Sequence, residues 1–484
     1  MTVMPKETDL CHSKTPPGDD LSPGQRLAAV GHKFVELAEE LDLAKDLADL
    51  FRENPLVAEH TFRETLFGVA RSVLKPTFEA LDGHGPTLTV ADQSYHRVAV
   101  TSGGAMTMFG PVDFDRSRYR PSGTGPSIIP AECTLGLTTG GLTPAAAGVS
   151  MSLLSGLTAR ESEEAWRQFG VQGPSTASLL RLAADVGSEM ATGADELLSA
   201  VRDREALPTG TASLLVSLDG VMMRMNTETV DETETDAGWR AAACGVIGFV
   251  DADGNRLDAR CFGHLPETGK ETLKSQLSAE LFHWLTVDPD LKVVAVADGA
   301  PDNGTFLEAL CPELALLDFW PAAEHLKAAA DAAFGPETAT GTAWFEQWRH
   351  PLRHDANGAA KVIDAWRYLS RTGKGTADIG RELGYFSKNR HRMDDANAAA
   401  AGFAIGSGSV EAANKVLITS RMKRSGQSWC RDGGQGVLSI RARCKSRRFA
   451  RAWKDLVPRR NRHGDWASKA PANDNRAIRL ALVA

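Results

Sequence analysis

Two stretches decide the fold: Ser213–Gly220, SLLVSLDG, and Lys292–Gly299, KVVAVADG. Each is a short apolar run that ends in Asp-Gly, which is typical of a buried strand followed by a turn. If the two strands are parallel neighbours, Asp219 and Asp298 lie side by side at one edge of the sheet. Adjacent carboxylates repel each other unless a cation lies between them. The pair therefore predicts a metal site, although either Asp-Gly alone would be an ordinary surface turn.

The elements around these stretches predict an α/β core whose first part spans residues 207–326. The predicted strands are Ser213–Leu218, Ala242–Val250, Arg256–Phe262, Lys292–Ala297 and Leu314–Leu317. A hairpin turn at Asp253-Gly254 joins the second strand to the third, and helices are predicted over Glu267–Leu285 and Thr305–Leu310. Strand, hairpin, strand, helix, strand, helix, strand is the RNase H-like order, in which the first and fourth strands are parallel neighbours.

A third carboxylate is predicted in Gly406–Glu411, GSGSVE. The Gly-Ser pairs precede a helical pattern, so Glu411 falls in the first turn of a helix, where the helix dipole favours a negative charge. Two-metal phosphoryl transfer needs such a third acid, although a glutamate that only caps a helix would look the same. We therefore predict that Asp219, Asp298 and Glu411 are the catalytic residues and hold two Mg²⁺ or Mn²⁺ ions.

Residues 327–404 have the apolar spacing of helices and predict an all-α insertion, after which the core resumes over 405–460 with basic helices. Two histidines four apart, His350 and His354, raise the alternative of a zinc hydrolase. Pro351 lies between them and is expected to break the helix that such a pair requires.

The chain before the core is predicted to contain three regions. They are a disordered N-terminus at 1–24, a helical and small β region at 25–135, and a helical region at 136–206. Gly103-Gly104 is predicted to form a hairpin turn in the β region. Helices over Ala159–Phe169 and Ser175–Ala184 flank a Gly-containing break, an outline shared by helix-turn-helix DNA-binding regions and by many other helical hairpins. A domain boundary is predicted at Leu207–Thr211, and a flexible tail at 461–484.

Charge is distributed unevenly along the chain. The net charge is −8, yet Arg421–Arg462 contains fourteen Lys or Arg residues and two acids. Such a segment is typical of a surface that faces phosphate, and equally of a solvated tail. Seven cysteines without a C-x-x-C pair, and no apolar run of membrane-spanning length, predict a reduced cytoplasmic protein without a membrane partner.

The C-terminal part of the chain carries four ordered motifs. They are Tyr385–Asp394, YFSKNRHRMD; Ile405–Lys415, IGSGSVEAANK; Arg421–Gly426, RMKRSG; and Leu438–Ala442, LSIRA. Together with Trp429 they resemble the C-terminal signature of the ISKra family of bacterial insertion-sequence transposases, which are relatives of the Mutator-like DDE enzymes. The resemblance covers about Thr87–Trp453.

This resemblance implies that Asp219, Asp298 and Glu411 match the acidic triad of a DNA transposase. Such an enzyme would cut DNA at the terminal inverted repeats of a transposon and join the ends to target DNA, by metal-dependent hydrolysis and transesterification. A nucleoid-associated homo-oligomer is expected, since two ends must be held together. The predicted DNA-binding residues are Arg421, Lys423, Arg424, Trp429, Arg441, Arg443 and Lys445.

Two departures from the family pattern keep other functions open. Mutator-like enzymes usually carry Asp or Cys, two residues and then His after the fifth strand. Here Pro321 stands in the place of that His, so Asp318 and His325 are candidate accessory residues. Tyr95–Tyr119 contains no cysteine, so no zinc ribbon is predicted. The alternatives are a decayed or domesticated transposase that binds DNA without cutting it, and a junction resolvase on the same fold.

Overall fold

The computed structural model describes residues 22–90, 93–192, 194–226, 229–230, 234–235, 238–371, 376–405 and 408–460. Its contacts divide the chain into two units, Met1–Ser72 and Val73–Ala484. The predicted flexible tail and most of the predicted disordered N-terminus lie outside the described residues. Across the described ranges, none of the helices combines the length and the apolarity that crossing a membrane requires.

The first unit is helical. It contains α1 (Pro23–Glu40), α2 (Leu43–Glu53) and the start of α3 (Pro55–Ala80). Ser22 and Gln25 form a capping box, in which each side chain accepts from the backbone N–H of the other residue. This cap explains why α1 begins at Pro23, before the predicted helical region.

The second unit opens with a three-stranded antiparallel sheet of β1 (Thr87–Val90), β2 (Gln93–Thr107) and β3 (Gly110–Pro121). The prediction of a turn at Gly103-Gly104 is wrong, because β2 runs through both glycines and the chain reverses between Thr107 and Gly110. Gly103 instead leaves room for the guanidinium of Arg116, which a Cβ atom would overlap. Gly110, with a φ of 100°, provides the conformation that the reversal requires.

Five helices lie between this sheet and the central one. They are α4 (Pro130–Leu135), α5 (Pro144–Leu154), α6 (Ala159–Gln168), α7 (Thr176–Thr192) and α8 (Ala194–Arg202). The predicted pair of helices therefore corresponds to α6 and α7. A capping box of Thr158 and Glu161 begins α6. In α7, Leu179, Leu182 and Val186 are fully buried.

The central sheet makes the protein α/β. Its elements in chain order are β4 (Ser213–Met225), β5 (Thr229–Val230), β6 (Glu234–Thr235), β7 (Gly238–Val250), β8 (Arg256–His264), α9 (Glu271–Val287), β9 (Lys292–Ala297), α10 (Pro301–Ala309) and β10 (Leu314–Leu317). Five of the strands form one sheet in the order β10-β9-β4-β7-β8, while β5 and β6 pair separately. The predicted parallel pairing of the first and fourth strands is confirmed, because β4 lies parallel to β9.

Both faces of this sheet are covered where β4 pairs with β9, so Ser213–Leu218 is buried throughout and β9 is buried at every position after Lys292. One face packs on α9 through Leu277, Leu281 and Trp284. The other face includes Leu215 and Val294 in a smaller cluster. The strand ends are therefore held in place from two sides.

All the elements described between β10 and residue 405 are helical, as predicted for the insertion. They are α11 (Phe319–Phe334), α12 (Ala339–His354), α13 (Gly358–Arg371), α14 (Thr376–Asn389), a 3₁₀ turn (Arg390–Arg392) and α15 (Asp395–Ala400). Their own core includes Trp366 and Phe386, with ring centroids 4.4 Å apart. The expectation that Pro351 breaks a helix is wrong, because α12 continues to His354.

The last part of the unit contains α16 (Gly408–Asn414), a π-helical turn (Lys415–Thr419), α17 (Ser420–Met422), α18 (Arg431–Lys445) and α19 (Phe449–Arg460). Here α7 and α18 meet closely, because a Cβ atom on Gly187 would overlap the backbone of Gly436. The predicted boundary at Leu207–Thr211 is thus a connection inside one compact unit.

Candidate functional site: an acidic edge of the central sheet

Asp219 and Asp298 lie directly beyond the last paired residues of two parallel strands. The register of β4 with β9 ends at the pair Leu218 and Ala297. Although Asp219 was predicted to end its strand, β4 continues to Met225 because β7 pairs with it along its whole length. Asp219 is therefore held inside a strand, while Asp298 begins the loop after β9.

Several groups around Asp219 act on its pKa. Burial raises this pKa, and the Gly220 N–H, which donates to Asp219 Oδ1 at 2.6 Å, lowers it. The charges of Asp298 and Glu411 raise it further, and the charge of Lys270 lowers it. The net effect raises the pKa of Asp219, so ionising this carboxylate costs more here than in water.

Asn303 and Lys270 support Asp298. Asn303 Nδ2 donates to Asp298 Oδ1 at 3.0 Å, and the Ala300 N–H donates to the same oxygen at 3.3 Å. Asn303 Oδ1 accepts from Lys270 Nζ at 2.6 Å. Sequence reasoning missed both residues. The available signal was an asparagine in the first helical turn after Asp298.

Asn414 supports Asp219 from the helix that carries Glu411. Glu411 is exposed in the first turn of α16, as predicted, and Asn414 follows three residues later. Asn414 Nδ2 donates to Asp219 Oδ2 at 2.5 Å. Its Oδ1 is buried without a hydrogen-bond partner among the described residues. This residue was also missed, although a spacing of three places it on the face of Glu411.

The residues present fit a hard divalent cation in their chemistry. Carboxylate and amide oxygens are the ligands that Mg²⁺ and Mn²⁺ prefer. Among the described residues, however, no three His, Cys, Asp or Glu side chains are gathered closely enough to hold a metal ion together. His350 and His354, with ring centroids 4.6 Å apart, belong to no such group.

The candidate accessory residues lie on α11, beside α14. Asp318 is buried at the N-cap position of α11. His325 Nδ1 donates to Glu382 Oε2 at 2.5 Å, and the imidazole stacks on the Tyr385 ring with centroids 3.6 Å apart. Pro321 lies in the first turn of α11, where the absence of an N–H costs the helix nothing.

Three of the predicted DNA-binding arginines are buried. Arg421 donates to Leu154 O, Arg441 to the carbonyls of Val416 and Ser155, and Arg443 to those of Met190 and Ser439. Their guanidinium groups therefore donate to backbone carbonyls inside the protein, of which those of Leu154, Ser155 and Met190 lie at or near the ends of α5 and α7. We therefore do not expect these three arginines to contact DNA.

The remaining predicted DNA-binding residues differ in exposure. Lys423 and Lys445 are exposed. Arg424 pairs with Glu161 at 2.6 Å. Trp429 Nε1 donates to Met422 O at 2.9 Å, and the Arg421 guanidinium lies 5.0 Å from its ring centroid. Trp429 is thus a packing residue, and the exposed lysines are the better candidates for phosphate contacts.

A second charged cluster joins α19 to the core. Arg448 donates to both oxygens of Glu280, at 2.7 and 2.9 Å, and to Glu205 at 2.7 Å. Arg260 also donates to Glu205, at 3.2 Å. Burial alone would lower the pKa of Arg448, but the hydrogen bonds to Glu280 and Glu205 raise it overall. This cluster is compensated internally.

No protein-family model matches the chain, and no curated protein matches it either. Its function is therefore inferred from the strand order, the acidic edge and the residues around that edge.

Proposed function

We propose that this protein is a DDE transposase of a bacterial insertion sequence, which cuts DNA at transposon ends and transfers the strands into target DNA. One observation carries the proposal: Asp219 and Asp298 follow the paired ends of adjacent parallel strands, and Asn414, on the helix that carries Glu411, donates to Asp219. The strand order β10-β9-β4-β7-β8, with β7 antiparallel to its neighbours, supports an RNase H-like core.

In this proposal Asp219, Asp298 and Glu411 hold Mg²⁺ or Mn²⁺, two ions being expected. When bound, such ions activate water or a DNA 3′-hydroxyl and stabilise the leaving oxygen. The protein itself orients the ligands: Asn303 fixes Asp298, and Asn414 fixes Asp219. Lys270 places a positive charge behind Asn303, which limits repulsion while the carboxylates are ionised.

The DNA contacts of the proposal rest on exposed cations. Lys423 and Lys445 lie on the basic segment, outside the core, where each can neutralise a phosphate. The exposed face of α7 offers a weaker case for reading terminal repeats, because Arg181 is accompanied by Asp185 and Glu189. Two transposon ends must be brought together, so a homo-oligomer is part of the proposal.

A DNA-binding protein that has lost cleavage is the second candidate. It is favoured by Pro321 at the position where the resembling family usually has His, and by the separation of the acids among the described residues. It differs from the first candidate in one measurable respect, since it would bind transposon ends and leave them uncut.

The test is cleavage of a labelled duplex that carries the DNA flanking this reading frame. We expect cuts at defined ends with Mg²⁺ or Mn²⁺, none with EDTA, and none from Asp219→Ala, Asp298→Ala or Glu411→Ala proteins. Asp290→Ala is the matched control, since Asp290 is an exposed acid at the opposite end of β9. Binding without cutting by the unaltered protein would favour the second candidate. Undiminished cutting by any of the three triad variants would sink the assignment of that acid.

A further inference from the structure

Tyr385, on α14 of the helical segment, lies against the backbone that carries Asp298. Gly299 follows Asp298 directly, and a Cβ atom built on it would overlap the Tyr385 hydroxyl. The same atom would approach Cε2 to 2.8 Å and Cζ to 3.0 Å. The phenol can therefore occupy this position only because residue 299 is glycine.

The Tyr385 hydroxyl is buried and has no hydrogen-bond partner among the described residues. Buried hydroxyl groups are normally hydrogen-bonded, so a partner outside the present arrangement is expected. Asp298, Asp318 and Glu382 are the carboxylates whose charges act on it, together with Arg392. Burial raises the pKa of the phenol to about 12, so at neutral pH it is a donor.

His325 and Glu382 hold the Tyr385 ring in this position. The His325 imidazole stacks on the phenol with an interplanar angle of 25°, and Glu382 accepts from His325 Nδ1. Glu382 also accepts from Arg381 Nε at 3.2 Å. Since a hydrogen-bonded histidine cannot turn freely, the stacked phenol is restricted as well.

Asp298 has room for one more donor. The hydrogen bonds to it among the described residues, from Asn303 and the Ala300 N–H, both end on Oδ1. Oδ2 receives none of them. The carboxylate torsion of Asp is broad, so its oxygens can turn toward a new donor.

We propose that Tyr385 is a positioning residue for Asp298, whose carboxylate accepts the phenolic hydrogen bond when it holds a divalent cation. The inference rests on the proposed function, because it treats Asp298 as a metal ligand. Carboxylate ligands are themselves held by outer hydrogen bonds, and losing one costs about 10–100-fold in metal affinity or activity. The helical segment would then be a part of the site and not only an addition to it.

The test is calorimetric titration of the full-length protein with Mn²⁺, without DNA. Tyr385→Phe should raise the dissociation constant roughly 10–100-fold. Tyr368→Phe is the matched control, because Tyr368 belongs to the same helical segment and is 68% exposed; it should bind Mn²⁺ like the unaltered protein. The metal-free Tm of Tyr385→Phe should stay equal or rise, since the change removes an unpaired buried hydroxyl.

A substitution of Gly299 tests the same contact with the Tyr385 ring. Gly299→Ala should displace the ring and weaken Mn²⁺ binding, and Gly299→Ala combined with Tyr385→Phe should weaken it no more than the larger single change, because both act through one contact. A dissociation constant for Tyr385→Phe within twofold of the unaltered protein would overturn the positioning role, as would an unaltered protein that binds no Mn²⁺. An unaltered protein that binds Mn²⁺ but leaves DNA uncut would overturn the proposed function alone.

Discussion

The acidic edge and the Arg448 cluster both concentrate charge, but they differ in how opposite charges are paired. Arg448 and Arg260 face Glu205 and Glu280 in a nearly dry environment, where each charge has an opposite partner. At the sheet edge, the charges of Asp298 and Glu411 raise the pKa of Asp219, and the charge of Lys270 lowers it. Internal compensation indicates a structural role, whereas retained repulsion is a cost that a binding site explains.

The largest effect is expected at the acidic edge of the sheet, where a substitution should lower activity without lowering stability. Asp219→Asn should lower metal-dependent cleavage by at least roughly 10³-fold. The folded-state pKa of Asp219 lies above its unfolded value, so the stability linked to its protonation is present at low pH and lost as pH rises through the folded pKa. At pH 8 the variant should therefore have a Tm equal to or higher than that of the unaltered protein. A clear fall in Tm would contradict the comparison.

At the Arg448 cluster the removal of one charge should destabilise the protein. Arg448→Met leaves Glu280 buried without its cation, and we expect a loss of about 3–5 kcal/mol in urea unfolding. Glu280→Leu combined with Arg448→Met should recover part of that loss, because an apolar pair leaves fewer uncompensated charges. If the single variant were as stable as the unaltered protein, the cluster would not be structural.

Asp395, in the helical segment, is expected to show an effect of intermediate size on stability. Burial, with the charge of Asp318 adding to it, raises its pKa to about 6, while the charge of Arg353 lowers it. The stability linked to this group is present below the unfolded pKa of 3.8 and lost as pH rises through about 6. Asp395→Asn should then gain about 1–2 kcal/mol at pH 8 and nothing at pH 4. Urea unfolding at both pH values would show this, and an equal change at both would refute it.

The smallest effect is expected for an exposed cation. Lys445→Ala should weaken DNA binding a few-fold and reduce the slope of log K against log salt by about 1. Lys445→Arg keeps the charge and serves as the control. An unchanged slope would remove Lys445 from the proposed DNA surface.

The strand pairing and the position of Glu411 were predictable because apolar runs and helix periodicity are local signals. The burial of Arg421, Arg441 and Arg443 was not predictable, because a count of charges does not show which of them donate to backbone carbonyls inside the protein. Asn414 and Tyr385 were missed for a related reason. Their contacts with Asp219 and Gly299 join segments distant in sequence, and no local pattern reports them.

Neither Gly187 nor Gly436 leaves space for a methyl group, so α7 and α18 meet backbone to backbone from opposite parts of the unit. A chain cut in the coil at Leu207–Thr211 would yield two fragments. In one of them α7 would lack its packing partner α18, and in the other α18 would lack α7. Produced separately, neither should fold; produced together, they should reassemble as a split protein. The same constraint acts in evolution, since the segment before the coil could be exchanged between relatives only if both glycines were present in the recombinant.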